Sequence, residues 1–287
     1  MLPHLSHGRI VSMDELVFLK LGGSLITEKT RRYTPRPKRL RELAVEISQA
    51  VAEMPGMRLI LGHGSGSFGH YAVHEHLNAD AFPISREGRP RSDRTYWNGF
   101  SEVWYRASQL NRHVVDALHD AGVPAVSFAP SAAATTSDGA IASWDLTALR
   151  AALDSGTLPL IFGDIVFDDI QGGKVLSTET LMWHLAQHLH PRRILLAGLE
   201  AAVWADFPTR NLPIDKITPA TFNQLAKTLG GSHGPDVTGG MKSKVADMLA
   251  LVQTVPGLLV RVFSGEQDGN LRRALAGDSL GTLISSD

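Results

Sequence analysis

A glycine-rich segment directly after a short apolar run is the feature that most constrains the fold of this chain. The apolar residues 59–61 are followed by glycines at positions 62, 64, 66 and 69, and residues 71–77 then have the composition of a helix start. Glycine lets the backbone approach an oxyanion closely, and a helix N-terminus offers unpaired N–H groups and a positive dipole end. The segment therefore predicts a strand, a turn and a helix that bind an anion.

The same turn admits two other interpretations. Residues 64–69 match G-x-G-x-x-G, a pattern typical of dinucleotide-binding folds. That fold expects a second apolar strand ending in an acidic residue about 20 positions later, whereas residues 78–94 are polar, contain proline and are rich in arginine. A tight turn with a purely structural role is the other alternative. We favour a phosphate site.

Composition limits the function classes. With 287 residues and 43% hydrophobic content, the chain can form one large α/β domain or two closely joined lobes. Its net charge of −1 gives no general attraction to nucleic acid or membranes. The absence of cysteine excludes disulfides and thiolate chemistry. Residues 1–12 lack the features of a signal peptide, so we expect a cytoplasmic protein with a mobile N-terminal extension.

Apolar runs alternate with helical patterns along the chain. This alternation predicts an α/β fold with a mainly parallel sheet covered on both faces. We expect Ser177 or Thr178 to cap one helix, with Glu179 in its first turn. Strands are predicted at 16–21, 59–61, 125–128, 158–167, 193–196 and 258–263. Helices are predicted at 37–54, 95–121, 144–153, 178–189, 218–229, 241–252 and 270–275.

Three glycine-rich turns lie next to predicted strands and helices, at residues 20–24, 64–69 and 238–244. In an open α/β sheet such turns converge at the carboxyl ends of the strands. Lysines on two of the turns would make a site for several phosphate groups. None of the turns has the spacing of a Walker A loop, G-x-x-x-x-G-K-[ST], so a phosphoryl-transfer enzyme of another design is the natural interpretation.

Four segments then carry a resemblance. They are KLGGSLITEK at 20–29, GHGSGSFGH at 62–70, IFGDIVFD at 161–168 and DVTGGMKSK at 236–244. Together they resemble the isopentenyl phosphate kinases of the amino-acid-kinase superfamily, from about residue 15 to the C-terminus. The resemblance implies an open αβα sandwich with a mainly parallel central sheet, and a homodimer. It also implies a single kinase domain at 13–287, with an acceptor-binding lobe at about 13–170 and an ATP-binding lobe at about 171–287.

The resemblance also implies roles for matching residues. Lys29 and Lys20 would act on the transferring phosphoryl group and the ATP phosphates, and His70 would bind the acceptor phosphate. Asp164 is our candidate for a carboxylate that positions lysines or Mg²⁺-bound water. The residues expected to bind ATP are Lys20, Gly22, Gly23, Ser24, Gly66, Glu179, Gly240 and Lys244. The residues expected to bind the acceptor are Ser65, Gly66, His70 and Gly163.

Two segments depart from the family pattern. The family usually has S-G-D-D where this chain has Ser177-Thr-Glu-Thr180, so Glu179 could replace an aspartate that orients lysines. The family also has an Asp-rich turn where residues 197–203 read AGLEAAV, which leaves recognition of the nucleotide base open.

Three histidines and four aromatic residues are further candidates for a functional role. His70, His74 and His76 lie close together, but no carboxylate pattern completes a metal site, so we predict no metal held by the protein. Aromatic side chains could line an apolar acceptor pocket or belong to the core; they are Phe82, Trp97, Phe100 and Trp104.

The expected activity is ATP- and Mg²⁺-dependent phosphorylation of isopentenyl phosphate. The alternatives are a related kinase for another small phosphate or phosphonate, and a nucleotide-binding regulator without turnover.

Overall fold

The structure is a computed structural model that describes residues 15–77, 94–225 and 240–287. The expected mobile extension at 1–12, Phe82 and residues 238–239 of the third glycine turn lie outside the described residues. The helix predicted at 218–229 is described only up to residue 225.

Strands and helices alternate through the described residues, as the hydrophobic pattern predicts. The strands are β1 Leu16–Leu21, β2 Arg58–His63, β3 Ala125–Ser127, β4 Ala134–Ser137, β5 Ala140–Trp144, β6 Leu158–Phe162, β7 Asp164–Asp168, β8 Gly172–Leu176, β9 Arg193–Gly198, β10 Val203–Trp204, β11 Pro213–Ile214, β12 Lys216–Ile217, β13 Leu259–Ser264 and β14 Thr282–Ile284. The helices are α1 Gly23–Ile26, α2 Pro37–Glu53, α3 Gly66–His76, α4 Arg94–Asp120, α5 Pro130–Ala133, α6 Thr147–Asp154, α7 Thr178–Leu189, α8 Pro219–Leu225, α9 Gly240–Thr254 and α10 Asn270–Leu275.

The central sheet has eight strands within the described residues, in the order β12-β14-β13-β9-β1-β2-β6-β3. Its pairs are parallel except for β13 and β14, which run antiparallel. Strands from both halves of the chain contribute to it. The strands β1, β2, β6 and β9 are parallel neighbours. The segments that follow them therefore meet at the end of the sheet where these strands have their carboxyl ends.

Helices cover both faces of this sheet, so the αβα sandwich is confirmed. On one face, Val17 and Leu19 of β1 share a buried core with Leu43 of α2 and Leu110 of α4. On the other face, Phe18 belongs to a core that includes residues of α7 and α9. Alternate residues of β1 therefore point to opposite layers, which explains why every residue of the strand except Lys20 is apolar.

Two of the predicted elements are wrong in detail. The apolar run 158–167 is not one strand, because it breaks at Gly163 into β6 of the central sheet and β7 of a separate sheet ordered β5-β4-β7-β8. The helix predicted from residue 144 begins at Thr147, since Trp144 is the last residue of β5. A mostly apolar run cannot reveal a change of sheet, because both parts have the composition of buried strands.

Helix α7 begins where its sequence predicts. The Ser177 side chain accepts a hydrogen bond from the backbone N–H of Thr180 at 3.0 Å, so Ser177 is the N-cap. Glu179 lies in the first turn, where a negative charge is favourable.

Candidate active site

The first two glycine turns interlock at the carboxyl ends of β1 and β2. The N–H of Gly64 donates to the carbonyl of Leu21 at 3.0 Å, and the N–H of Gly22 donates to Ala197 at the end of β9 at 2.8 Å. A Cβ on Gly23 would lie 2.5 Å from the backbone nitrogen of Gly66, so no side chain fits there. The backbones of the two turns thus lie side by side, as expected for a phosphate site.

Thr27 fastens the two turns to each other. Its buried hydroxyl donates to the carbonyl of Gly23 at 2.8 Å and accepts from the N–H of Ser67 at 3.0 Å. Gly66, which starts α3, has a φ of +50°, and a Cβ on it would lie 2.3 Å from the Thr27 hydroxyl. Gly66 is therefore required both by its conformation and by its contact with Thr27.

Helix α3 thus begins at Gly66, five residues before the helix start expected from the sequence. Glycines at 66 and 69 argued against a helix there, since glycine lowers helix propensity. A Cβ on Gly69 would lie 2.1 Å from the Ser65 hydroxyl, so close packing against Ser65 explains this glycine.

Glu179 joins lysines from two distant parts of the chain. Its carboxylate forms an ion pair with Lys20 of β1, and its Oε1 atom lies 3.9 Å from Nζ of Lys244 on α9. Lys20 and Glu179 are nearly buried, with side-chain exposures of 10% and 13%. Burial opposes ionisation of Glu179, but Lys20 and Lys244 outweigh it and lower the pKa of the carboxyl to about 2.

The structure therefore brings together Lys20, Glu179 and Lys244, three residues that the sequence analysis assigned to an ATP site. The glutamate is also long enough to bridge the lysines, which answers the question raised by the departure from the family aspartate. Ser24 lies in α1, directly after the first glycine turn, and Gly240 is the first residue of α9, the helix that carries Lys244.

Gly163 and Ser65 are also brought together. The N–H of Gly163 donates to the carbonyl of His63 at 3.1 Å, and a Cβ on Gly163 would lie 3.7 Å from the backbone nitrogen of Ser65. The end of β6 thus lies beside the second glycine turn.

His70 and Lys29 are both exposed. His70 lies on α3, one turn after its N-terminus, and is not a core residue. Lys29 follows Thr27 by two residues, in the turn that leads away from the joined glycine turns. Both side chains are placed to meet a solvent-borne ligand.

Asp164 does not position a lysine. Its carboxylate accepts hydrogen bonds from the backbone N–H groups of Ser131 at 3.1 Å and Ile165 at 2.8 Å. Burial raises its pKa to about 6, against these hydrogen bonds. Within the described ranges no lysine nitrogen is within ion-pair distance of Asp164, and the carboxylate that holds the lysines is Glu179. Asp164 instead fixes the start of α5 against β7.

Aromatic side chains line an apolar cavity of about 430 Å³ between α4, α5 and β7. Phe100 stacks on Phe167 with ring centroids 4.8 Å apart, and Trp104 donates to the Ser131 hydroxyl at 3.1 Å. The backbone N–H of Ser131 donates to the carboxylate of Asp164, which directly follows Gly163. Three of the four aromatic residues named as pocket or core candidates line this cavity, and Phe100 also belongs to a buried core cluster; the three are Trp97, Phe100 and Trp104.

His63 was missed by the sequence interpretation. It is fully buried at the end of β2, where its ring stacks on Phe162 with centroids 5.6 Å apart. Burial lowers its pKa to about 4, aided by the nearby charge of Lys20. His63 is therefore neutral at physiological pH and supports the second glycine turn. A histidine inside an apolar run was the only signal for such a role.

The turn after β9 contains an ion pair where the family has aspartates. Glu200 accepts from Arg210 through both carboxylate oxygens at 2.8 Å, and from the indole N–H of Trp204 at 2.9 Å. This ties the turn to the β10–β11 hairpin.

Comparison with known proteins places these features in a family. A model of the amino acid kinase family matches residues 15–264, and the chain belongs to that family. It is 32% identical to the isopentenyl phosphate kinase of Methanocaldococcus jannaschii over 276 residues, covering 94% of this chain and 98% of the relative. It is 35% identical to the isopentenyl phosphate kinase of Haloferax volcanii over 274 residues, covering 95% of this chain and 99% of the relative.

The fold comparison agrees. An X-ray structure of an isopentenyl phosphate kinase superposes with a TM-score of 0.75 at 28% identity, covering 94% of this chain and all of the other. The resemblance carried by the four sequence segments is therefore confirmed. The lobe boundary near residue 170 stays a prediction.

Among the described residues, no group of three or more histidine and acidic side chains could hold a metal ion. The helices in those residues also include none that is long and apolar enough to cross a membrane.

Proposed function

We propose that this chain transfers the γ-phosphoryl group of ATP to isopentenyl phosphate. An oxygen of the acceptor phosphate forms a bond to the γ-phosphorus, the bond from that phosphorus to the β–γ bridging oxygen breaks, and ADP leaves. A phosphate monoester has its second pKa near 6, so the acceptor is largely dianionic at pH 7 and needs no strong general base. The protein has to supply position and positive charge.

The observation that carries this proposal is the pair of lysines held by Glu179 beside the interlocked glycine turns. Lys20 and Lys244 come from opposite ends of the chain, so their shared carboxylate fixes two positive charges at one point. Repulsion between phosphate groups is the main obstacle to bringing ATP and a phosphate acceptor together, and fixed ammonium groups lower it without moving during the reaction.

The other roles follow from position. We assign ATP phosphate binding to the first glycine turn with Ser24, and to Gly240 at the N-terminus of α9. Lys29 stabilises the transferring group. Ser65, Gly66, Gly163 and His70 hold the acceptor phosphate, and the cavity lined by Trp97, Phe100 and Trp104 faces the hydrocarbon tail.

Mg²⁺ enters this proposal as part of the substrate Mg–ATP. Mg²⁺ keeps several water molecules and is commonly bound through substrate phosphates, so few protein ligands are needed. Glu179 is already engaged by two lysines. We also propose a cytoplasmic homodimer. The exposed Val126 on the edge strand β3 is compatible with a contact between two copies, and sedimentation would give the mass of the assembly.

His70→Ala is expected to raise KM for isopentenyl phosphate by about 10- to 100-fold, because a charge-assisted hydrogen bond is worth roughly 1.5–3 kcal/mol. KM for ATP should stay within about threefold of the wild-type value, since His70 is assigned to the acceptor alone. His70→Gln keeps a donor and should retain more activity. Steady-state kinetics with each substrate varied in turn measure this.

The matched control is His74→Ala, which removes another exposed histidine one turn further along α3. It should leave both KM values unchanged. Equal losses for ATP and the acceptor in His70→Ala, together with a lower melting temperature, would contradict the assignment and make His70 structural.

A series of acceptors tests the identity of the substrate. Burial of each CH₂ contributes about 0.8 kcal/mol, so kcat/KM should fall steadily from isopentenyl to propyl to methyl phosphate. Small phosphonates of similar length are run beside them. Equal values across the series would contradict an apolar acceptor pocket, and a preference for a phosphonate would identify a related kinase with another acceptor.

A further inference from the structure

The turn that carries Lys29 is closed at its base and attached to α3 on its returning side. Thr27 and Pro35 form an antiparallel bridge, and the N–H of Glu28 donates to the carbonyl of Thr34 at 2.9 Å. Residues 28–34 therefore project from the joined glycine turns as a small loop, with Lys29 exposed near its base. An exposed lysine on such a loop has a defined position only if the loop itself is held.

Tyr33, next to the residue that closes the loop, holds the loop against α3. Its hydroxyl donates to Oε2 of Glu75 at 2.8 Å, and Arg32 places its guanidinium 2.7 Å from Oε1 of the same carboxylate. The Tyr33 ring lies 6.0 Å from the buried Phe68 ring, also on α3. Helix α3 carries Gly66 and His70, and Ser65 is its N-cap.

Arg106 of α4 covers the other side of the Tyr33 ring. Its guanidinium carbon lies 4.3 Å from the ring centroid, a distance typical of a cation–π contact. Glu102 and Gln109 fix Arg106 by accepting hydrogen bonds at 2.8 and 3.2 Å. Tyr33 is thus held by two helices, although it belongs to a loop.

The backbone and the ionisation of Tyr33 agree with a strongly held residue. Its φ is +49°, a conformation that is uncommon for a residue with a side chain and persists where the surroundings fix it. Burial, followed by the hydrogen bond to Glu75, raises the pKa of the Tyr33 hydroxyl to about 12. The hydroxyl therefore remains a donor to Glu75 at every pH used for assays.

We propose that Tyr33, Glu75 and Arg106 form a latch that positions Lys29 relative to the acceptor site on α3. Tyr33 is a positioning residue, since it acts through Lys29 and touches neither substrate. The inference rests on the proposed function and on the role assigned there to Lys29. Because a misplacement of about 1 Å at a reacting group can lower the rate by as much as 10²-fold, loss of the latch reduces turnover more than binding.

The activity test uses Tyr33→Phe, which removes the hydroxyl and keeps the ring against Phe68 and Arg106. We expect kcat to fall by about tenfold while both KM values stay within about threefold. In a Lys29→Ala background the same substitution should change kcat by less than about twofold, because the group being positioned is gone. The matched control is Tyr105→Phe, an exposed tyrosine on the other side of Arg106, which should leave kcat unchanged.

An unchanged kcat in Tyr33→Phe would overturn the proposal. So would an equal loss in the wild-type and Lys29→Ala backgrounds, because the effect would then not pass through Lys29.

A second arm does not depend on activity. Trypsin can cut the loop after Lys29, Arg31 and Arg32, and mass spectrometry identifies the bonds that are cleaved first. Tyr33→Phe should speed cleavage at these bonds by about tenfold under conditions where the rest of the chain stays intact, since cleavage follows local opening. Unchanged cleavage would show that the hydroxyl does not hold the loop. If the wild-type chain fails to phosphorylate isopentenyl phosphate, the proposed function fails, but the cleavage result still decides whether the latch exists.

Discussion

Replacing Lys29 by alanine is expected to lower kcat by about 10²–10³, the loss typical of removing one group that stabilises charge developing in a transition state. The Lys29 side chain is exposed and lies two residues from Thr27, where the two glycine turns join. In the proposed function it contacts the group in transfer and binds little of the ground state. KM for ATP should change much less than kcat, as steady-state kinetics would show.

The control for this substitution is Lys38→Ala. Lys38 has 87% of its side chain accessible and pairs with Glu42 on the surface of α2. Its removal should leave kcat and KM unchanged. A raised KM for ATP at constant kcat in Lys29→Ala would contradict our assignment and make Lys29 a simple binding residue.

Glu179→Gln should destabilise the protein by about 3–5 kcal/mol at pH 7, because it leaves two lysines close together without a counter-charge in a nearly buried site. Urea unfolding monitored by circular dichroism gives the free energy of unfolding. Glu53→Gln is the matched control. Its partner Arg272 is at the surface, where an ion pair contributes about 0–1 kcal/mol, so little change is expected.

The difference between wild type and Glu179→Gln should depend on pH. The folded-state pKa of Glu179 is lowered from 4.5 to about 2, so its stabilising contribution is complete above about pH 5 and is lost as pH falls from 4.5 towards 2. The two unfolding free energies should therefore converge on acidification below pH 4.5. A difference that stays constant between pH 7 and pH 3 would show that the Glu179 charge does not hold the lysines.

The sequence predicted the parts of the site that depend on backbone conformation and on close backbone contacts. Glycine at 22, 23, 64 and 66 is required because two turns pack backbone against backbone, and that requirement is visible as a motif. The capped start of α7 was equally visible, because Ser177 and Glu179 satisfy simple rules for helix ends. Parallel strands place the turns at the same end of the sheet, so the meeting of the turns could also be predicted from the sequence.

The remaining parts depend on contacts between residues far apart in the chain. Asp164 and Glu179 are both carboxylates beside a motif, and only the packing decides that Glu179 meets Lys20 and Lys244 while Asp164 meets backbone N–H groups. The attachment of Tyr33 to Glu75 links positions 42 apart, with no local pattern to indicate it. The break at Gly163 was hidden because β6 and β7 are both apolar and buried.

The most direct test of the central claim follows the phosphorus atoms themselves. The purified chain is incubated with Mg–ATP and isopentenyl phosphate and followed by ³¹P NMR. We predict that the monoester resonance is replaced by the two coupled resonances of a diphosphate ester, with one ADP formed for each diphosphate. The Lys29→Ala variant at the same concentration should convert the acceptor about 10²–10³ times more slowly. Persistence of the monoester and ATP resonances with the wild-type chain, despite nucleotide binding, would contradict the account and identify a nucleotide-binding protein without this turnover.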